Sequence, residues 1–115
     1  MEIEFQRFIK KEEEGQYLSV NFQVPEHVES MEISYFYDKD ENIVDFGIAG
    51  ESGEFIGWSG SNRSCIQISP KNSSSGFVCV PVRPGQWQVL LGAYKICSQG
   101  VQVDCKVKFY MKSLR

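Results

Sequence analysis

The stretch VQVDCKVKFYM, residues 101–111, alternates apolar and polar side chains over its whole length. A period of two sends successive side chains to opposite faces of a strand. The stretch therefore predicts a β-strand with one face on a core and one face in water. Lys106 and Lys108 belong to the wet face.

The same alternation recurs upstream, between turns rich in Gly, Pro and Asn. No stretch carries a convincing helical stripe, and the best helix candidate, residues 8–15, equally suits a loop. About seven or eight strands are therefore expected, in an all-β antiparallel sandwich of the jelly-roll or immunoglobulin-like kind. We assign residues 1–115 to a single sandwich domain. The further predicted strands are residues 17–24, 31–37, 43–48, 65–69, 77–82 and 86–94.

The middle of the chain interrupts this regular pattern. Residues 47–60 contain five glycines, at positions 47, 50, 53, 57 and 60, with Phe55, Ile56 and Trp58 among them. Glycine at this density is typical of loops and turns. The composition predicts a long loop pinned to the domain by its aromatic side chains.

Composition and charge exclude several functional classes. The formal net charge is −3 and the basic residues are dispersed, which disfavours nucleic-acid binding through a basic face. No apolar run approaches the length that spans a bilayer, so we expect no membrane contact. Met1 is followed by Glu2, Ile3, Glu4 and Phe5 rather than by a leader, so a cytoplasmic location is expected.

The residues needed for catalysis are scarce. The one histidine, His27, lies in a Pro-Glu-His turn, so Ser-His and Cys-His nucleophile pairs are disfavoured. Glu51 and Glu54 have no spacing that distinguishes an acid/base pair from surface charge. Asp38 to Asn42 lacks the glycine and the closing glutamate of a calcium loop. We expect no catalytic residue, no metal ligand and no cofactor.

Four cysteines occur, at positions 65, 79, 97 and 105, with no CxxC pair among them. Each has apolar neighbours, which indicates reduced, buried thiols that pack as small hydrophobic side chains. Cys97 and Cys105 could face each other across a hairpin. They form the one disulfide pair that the sequence leaves open.

Several short segments resemble a known family when taken in order. They are Phe22-Gln23-Val24-Pro25, Asp45-Phe46-Gly47-Ile48, Gly57-Trp58-Ser59-Gly60, Pro84-Gly85-Gln86-Trp87, Leu91-Gly92-Ala93-Tyr94-Lys95 and the strand opening Gly100-Val101. The series resembles the N-terminal β-sandwich that precedes the catalytic domain in PHP-type metallohydrolases (polymerase and histidinol phosphatase superfamily), in the carbaryl-hydrolase-like branch. The resemblance covers roughly residues 15–111.

The resemblance implies a role without chemistry of its own. In that family the metal ligands belong to a following domain, and no position here matches them. It implies a non-catalytic accessory domain, the N-terminal part of a longer metallohydrolase, that packs on or positions a PHP-type catalytic domain in cis or in trans. We assign the possible contact surface to Trp58 and Arg63, with Tyr94 in support, acting through contact and shape.

A stand-alone module that binds a carbohydrate or another small ligand is the alternative. Exposed aromatic rings on a β-sandwich can stack on the apolar face of a sugar. Trp87 is in phase with Val89 and Leu91, which indicates a core position. Trp58 is open to three interpretations: a lid, a binding platform or a plug that anchors its loop.

Overall fold

A computed structural model describes residues 1–113 of the chain. It contains eight strands and one short 3₁₀ helix at Lys11–Glu13, so the predicted all-β sandwich is confirmed. No helix within the described range is long and apolar enough to cross a membrane. The strands are β1 (Glu2–Ile9), β2 (Tyr17–Val24), β3 (Val28–Phe36), β4 (Ile43–Ala49), β5 (Phe55–Ser59), β6 (Cys65–Ile68), β7 (Gly85–Lys95) and β8 (Val101–Met111).

The strands form two four-stranded sheets that pack face to face. One sheet has the order β1-β8-β3-β6 and the other has the order β2-β7-β4-β5. Every pairing is antiparallel. The long strands β7 and β8 are therefore central, and β1, β2, β5 and β6 lie at sheet edges.

The core lies between the sheets and consists of the inward half of each alternating strand. Trp87, Tyr35 and Phe46 are its largest fully buried side chains. The Tyr35 hydroxyl donates a 2.6 Å hydrogen bond to the backbone oxygen of Val44. This bond links β3 in one sheet to β4 in the other and satisfies a polar group that would be costly to bury alone.

The prediction of a long loop at residues 47–60 is wrong. Residues 43–59 form a hairpin in which β4 and β5 pair, and Gly47 lies opposite Trp58. The tight turn has the Gly50 amide donating to the oxygen of Glu54 at 2.8 Å, with Gly53 at a positive φ of 80°. The alternation of apolar and polar residues is not visible in the sequence because glycines occupy strand positions. At these positions the Trp58 ring or a neighbouring backbone segment packs too closely for a side chain.

Two other element predictions also require correction. Residues 77–82 form no strand; Phe77 makes one isolated bridge to Gly57, and the segment runs along the β5 and β6 edges. Residues 2–9, for which no strand was predicted, form β1. Ile3 and Phe5 face inward and alternate with Glu2 and Glu4, which face outward. Arg7 takes the next inward position and interrupts the apolar series that would have revealed the strand.

The cysteines differ in exposure, against the expectation that all four are buried. Cys105 is buried, Cys97 is half-buried, and Cys65 and Cys79 are exposed; all four are free thiols. Cys105 lies opposite Phe5 and Tyr35 in the sheet register rather than opposite Cys97. The Cys97 thiol instead donates to the backbone oxygen of Gly100 at 3.1 Å.

Candidate functional site

The outer surface of the β1-β8-β3-β6 sheet, here called the charged face, is a ladder of ionic side chains. Lys108 lies between Glu2 on β1 and Glu32 on β3, and Lys106 lies opposite Glu4. Alternating charges on neighbouring strands attract each other and stay hydrated. The face also carries three exposed rings near strand ends, Phe8, Phe36 and Tyr110. Its charged ladder favours contact with water.

The outer surface of the β2-β7-β4-β5 sheet has a different composition. Of the outward positions on these four strands, only Asp45 and Lys95, the last residue of β7, carry a charge. The others are aromatic, aliphatic, amide, hydroxyl or glycine positions. We call this surface the aromatic face; its large apolar side chains are Tyr17, Phe55, Trp58, Leu90 and Tyr94.

Trp58 lies across the middle of the aromatic face and packs directly over two glycines. A Cβ added at Gly47 would collide with the Trp58 ring, and one added at Gly92 would lie 3.0 Å from its Cζ2 atom. The indole therefore reaches over β4 onto β7, close to the backbone of both strands. Tyr17 packs edge-on against it, with ring centroids 5.7 Å apart and planes at 68°.

The rings around Trp58 are strongly exposed. Tyr17 is 81% exposed, Tyr94 is 71% exposed and Phe55 is 62% exposed. Together with Trp58, Gln88 and Leu90, Tyr17 and Phe55 line a shallow groove. A smaller hollow beside it is lined by Tyr17, Asp45, Gly92 and Tyr94 among others. Exposed rings that adjoin one another around a groove form a contiguous apolar patch, and such patches mark interaction surfaces.

Neutral polar groups border the rings. The Gln88 side-chain amide donates to the Asn21 carbonyl oxygen at 3.0 Å, and Gln23 lies opposite Gln86 one step along the sheet. Within residues 1–113 the Trp58 indole N–H has no protein acceptor and is not a buried orphan. The Trp87 indole N–H, in contrast, donates to the Arg83 oxygen at 2.8 Å. Trp58 thus keeps a donor available.

The three residues assigned to a contact surface do not lie together. Trp58 and Tyr94 both belong to the aromatic face, where Tyr94 is two residues from Gly92 on β7. Arg63 has structural partners instead. Its guanidinium donates to the Ser75 oxygen at 2.6 Å and to the Ser59 hydroxyl at 3.1 Å, and it stacks over Phe77 at 5.7 Å.

Sequence reasoning missed Tyr17, Phe55 and Asp45 as members of this surface. Tyr17 could have been found, because it occupies the outward phase of the predicted strand with Ser19 and Asn21. Phe55 had no such signal, since its strand was interpreted as loop. The register of the sheet, rather than any motif, brings these side chains beside Trp58.

The ionisable groups do not mark a reaction site. No cluster of three or more His, Cys, Asp or Glu suited to a metal occurs in the described part of the chain. Burial raises the pKa of the Cys105 thiol to about 12 and raises the pKa of Tyr35 above its usual value. Both groups lie in the core, whereas functional groups with shifted pKa values lie in clefts. His27 is exposed in its turn, at φ 69°.

The Glu14 carboxylate is the one group whose pKa is lowered by specific partners. It accepts a hydrogen bond from the Ile96 amide at 2.8 Å, the main cause of the shift, and another from Lys11 at 2.9 Å. These contacts fasten the β1–β2 connection to the end of β7. They are structural and involve the opposite end of the strand from Gln88.

The chain matches no known protein-family model, and no curated protein is a significant relative. The aromatic face is therefore interpreted from its own geometry.

Proposed function

We propose that the chain is a non-catalytic accessory domain that docks, through its aromatic face, on a PHP-type metal-dependent hydrolase domain in cis or in trans. The observation that carries the docking role is the contrast between the two outer faces. The charged face has opposed charges between its exposed rings, whereas the aromatic face is almost free of charge and groups Tyr17, Phe55 and Trp58 around one groove. Depletion of charge together with aromatic enrichment is the compositional signal of a protein interface.

The geometry of Trp58 supports the same role. Its ring is already held by Gly47, Gly92 and Tyr17, so little side-chain entropy remains to be lost when a partner covers it. Large aromatic side chains held in this way are typical of the few positions that dominate binding energy. Tyr17 packs against it, Tyr94 lies two residues from Gly92 on β7, and both tyrosine rings are strongly exposed.

The PHP-type partner is proposed from the resemblance of the sequence segments. Three of those segments, residues 45–48, 57–60 and 91–95, meet on the aromatic face. They contribute Asp45, Gly47, Trp58, Gly92 and Tyr94. Half of the segments that suggest the partner thus contribute residues to the surface.

A binding measurement tests this proposal. The chain is titrated, in trans, into the catalytic domain of a PHP-type metallohydrolase whose own N-terminal sandwich has been removed. We expect a complex that Trp58→Ala and Tyr94→Ala each weaken about tenfold or more. Lys108→Ala, on the charged face, is the matched control and is expected to leave affinity unchanged. Absence of a complex would refute the partner, and equal loss in the control would refute the surface.

A neutral carbohydrate is the second candidate ligand, favoured by the amides beside the rings. Amide groups donate and accept at once, as sugar hydroxyls require, and Asp45 adds an acceptor. A panel of neutral oligosaccharides is titrated while tryptophan fluorescence is recorded. Because Trp87 is buried, a change that disappears in Trp58→Phe reports on the aromatic face. No change with any sugar would remove this candidate and leave protein docking.

A further inference from the structure

The two sides of the sandwich at which the sheets end differ in how their edge strands are covered. One side has the edge strands β5 and β6, and the other has β1 and β2. Along the β5 and β6 edges runs the cover segment, residues 69–84. Its backbone amides donate to edge carbonyls: Ser74 to Gln67 at 2.9 Å, and Val78 to Ile56 at 2.9 Å. The inward side chains beneath it, among them Ile66 and Ile68, are fully buried. This side is closed.

The β1 and β2 side has no such cover in the described chain. Outside its pairing with β7, no backbone hydrogen bond from residues 1–113 reaches β2. Four inward side chains near this opening are only partly buried, although they pack on the core: Ile3, Phe5, Leu18 and Val20. The inward side chains nearer the other ends of these strands, Ile9, Phe22 and Val24, are buried. Unpaired backbone and a partly uncovered core therefore occur at the same edge.

Strand β2 also lacks the features that usually protect an edge. Its sequence, YLSVNFQV, has no charge and no proline, and its eight-residue pairing with β7 runs without a bulge. Long, regular, uncharged edges are templates for pairing with another strand. Edge strand β1 is different, because Glu2, Glu4 and Arg7 interrupt it with charge.

From this edge we infer that the chain forms a homodimer by antiparallel pairing of β2 with β2 of a second copy. Two copies of β2 match because opposed residues in such a pair share a face. The polar row of Ser19 and Asn21 then continues into the same row of the copy. The apolar row of Leu18 and Val20 continues into the same row of the second copy, and no like charges lie opposite each other. The sheet becomes eight-stranded, and the half-buried edge is covered.

The dimer follows from the β2 edge alone and does not depend on what the aromatic face binds. It has a consequence for that face, because Tyr17 belongs to β2. Pairing across the two-fold axis joins the aromatic faces of both copies on one side of the continuous sheet. A partner or ligand that engages this face would therefore meet two copies of it.

Sedimentation equilibrium over a wide range of concentration tests the inference. The wild-type chain is expected to approach twice the chain mass. Val20→Lys places an inward-pointing charge at the edge, and Ser19→Lys places an outward one. Each is expected to weaken the dimer about tenfold or more. Gln6→Lys, at an outward position of β1, is the control and should leave the dimer intact.

Circular dichroism establishes that each variant remains folded. Within residues 1–113 the Ser19 side chain makes no hydrogen bond, so replacing Ser19 is the milder of the two changes. Amide hydrogen exchange in the wild type should show residues 17–24 becoming more protected as concentration rises. A wild-type chain that stays monomeric at every concentration would overturn the inference. So would a dimer that both folded β2 variants leave unchanged.

Discussion

At the scale of single residues, the aromatic face depends on two positions without side chains. Gly47 and Gly92 lie on neighbouring strands and leave the space that the Trp58 ring occupies. Gly57, in the same hairpin, allows the cover segment to approach closely at Gly76 and Phe77. Gly47 and Gly57 make residues 47–60 resemble a loop in sequence, although both lie in a closely packed hairpin.

Gly47→Ala should therefore destabilise the domain. The new methyl group would meet both the Trp58 ring and, at 2.6 Å, the backbone oxygen of Gly57, which cannot move away as a flexible side chain can. We expect a loss of about 1–3 kcal/mol in the free energy of unfolding, measured by urea denaturation. Gly60→Ala, where the nearest atom would be 3.5 Å away, is the control and should change stability by less than about 0.5 kcal/mol. Equal effects at the two positions would contradict the packing described for Trp58.

Stability should also fall at alkaline pH because of Cys105. Burial raises the pKa of its thiol from 9.0 to about 12, so the folded chain holds this proton after the unfolded chain has lost it. The thiol's contribution is complete below pH 9 and is lost as pH rises from 9 towards 12, at up to about 1.4 kcal/mol per pH unit. Urea denaturation of the wild type and of Cys105→Ala at pH 8 and pH 10 measures it. The variant should show a shallower fall with pH; equal slopes would show that this thiol does not titrate differently on folding.

At the scale of elements, the hairpin of β4 and β5 and the cover segment form one unit held by Arg63. The guanidinium joins Ser59 on β5 to Ser75 in the cover segment and lies over Phe77. Arg63 thus holds in place the serine-rich part of the cover segment, which has no strand pairing of its own. It also separates Arg63 from the aromatic face.

Arg63→Ala should loosen the cover segment. We expect a loss of about 1–2 kcal/mol in stability and faster amide exchange and proteolysis within residues 69–80, because the hydrogen bonds from a charged donor are removed. Arg83→Ala is the matched control, since only the backbone oxygen of Arg83 has a partner, the Trp87 indole. If Arg63→Ala instead weakened partner binding without any change in exchange, Arg63 would belong to the contact surface rather than to the support of the cover segment.

The elements that sequence predicted well are those where alternation is uninterrupted. Strands β2 and β8 were found because their inward and outward residues differ in polarity over the whole length, and β7 because its inward row is continuously apolar. Strand β1 was missed because Arg7 stands in its inward row, and β5 because glycine replaces alternation there. The aromatic face was found only in part, since which outward residues become neighbours depends on sheet register, and that register is set by long-range pairing.

At the scale of the whole molecule, the sandwich has two unlike outer faces on one core. The paired charges of β1, β8 and β3 favour exposure to water, whereas the neutral, ring-bearing surface of β2, β7, β4 and β5 favours coverage by a partner. The chain has one closed side under the cover segment and one open side at β1 and β2. In the proposed docked complex, the aromatic face is therefore turned towards the partner and the charged face towards solvent.

Chemical-shift mapping tests this orientation most directly. The ¹⁵N-labelled chain is titrated with the sandwich-deleted PHP-type catalytic domain and, separately, with the panel of neutral oligosaccharides. If the aromatic face is the binding surface, at least one of these probes perturbs the amide signals of Tyr17, Gly92 and Tyr94 and the indole signal of Trp58. The signals of Lys106 and Lys108, on the charged face, stay unchanged. Perturbations confined to the charged face, or none with either probe, would contradict this orientation.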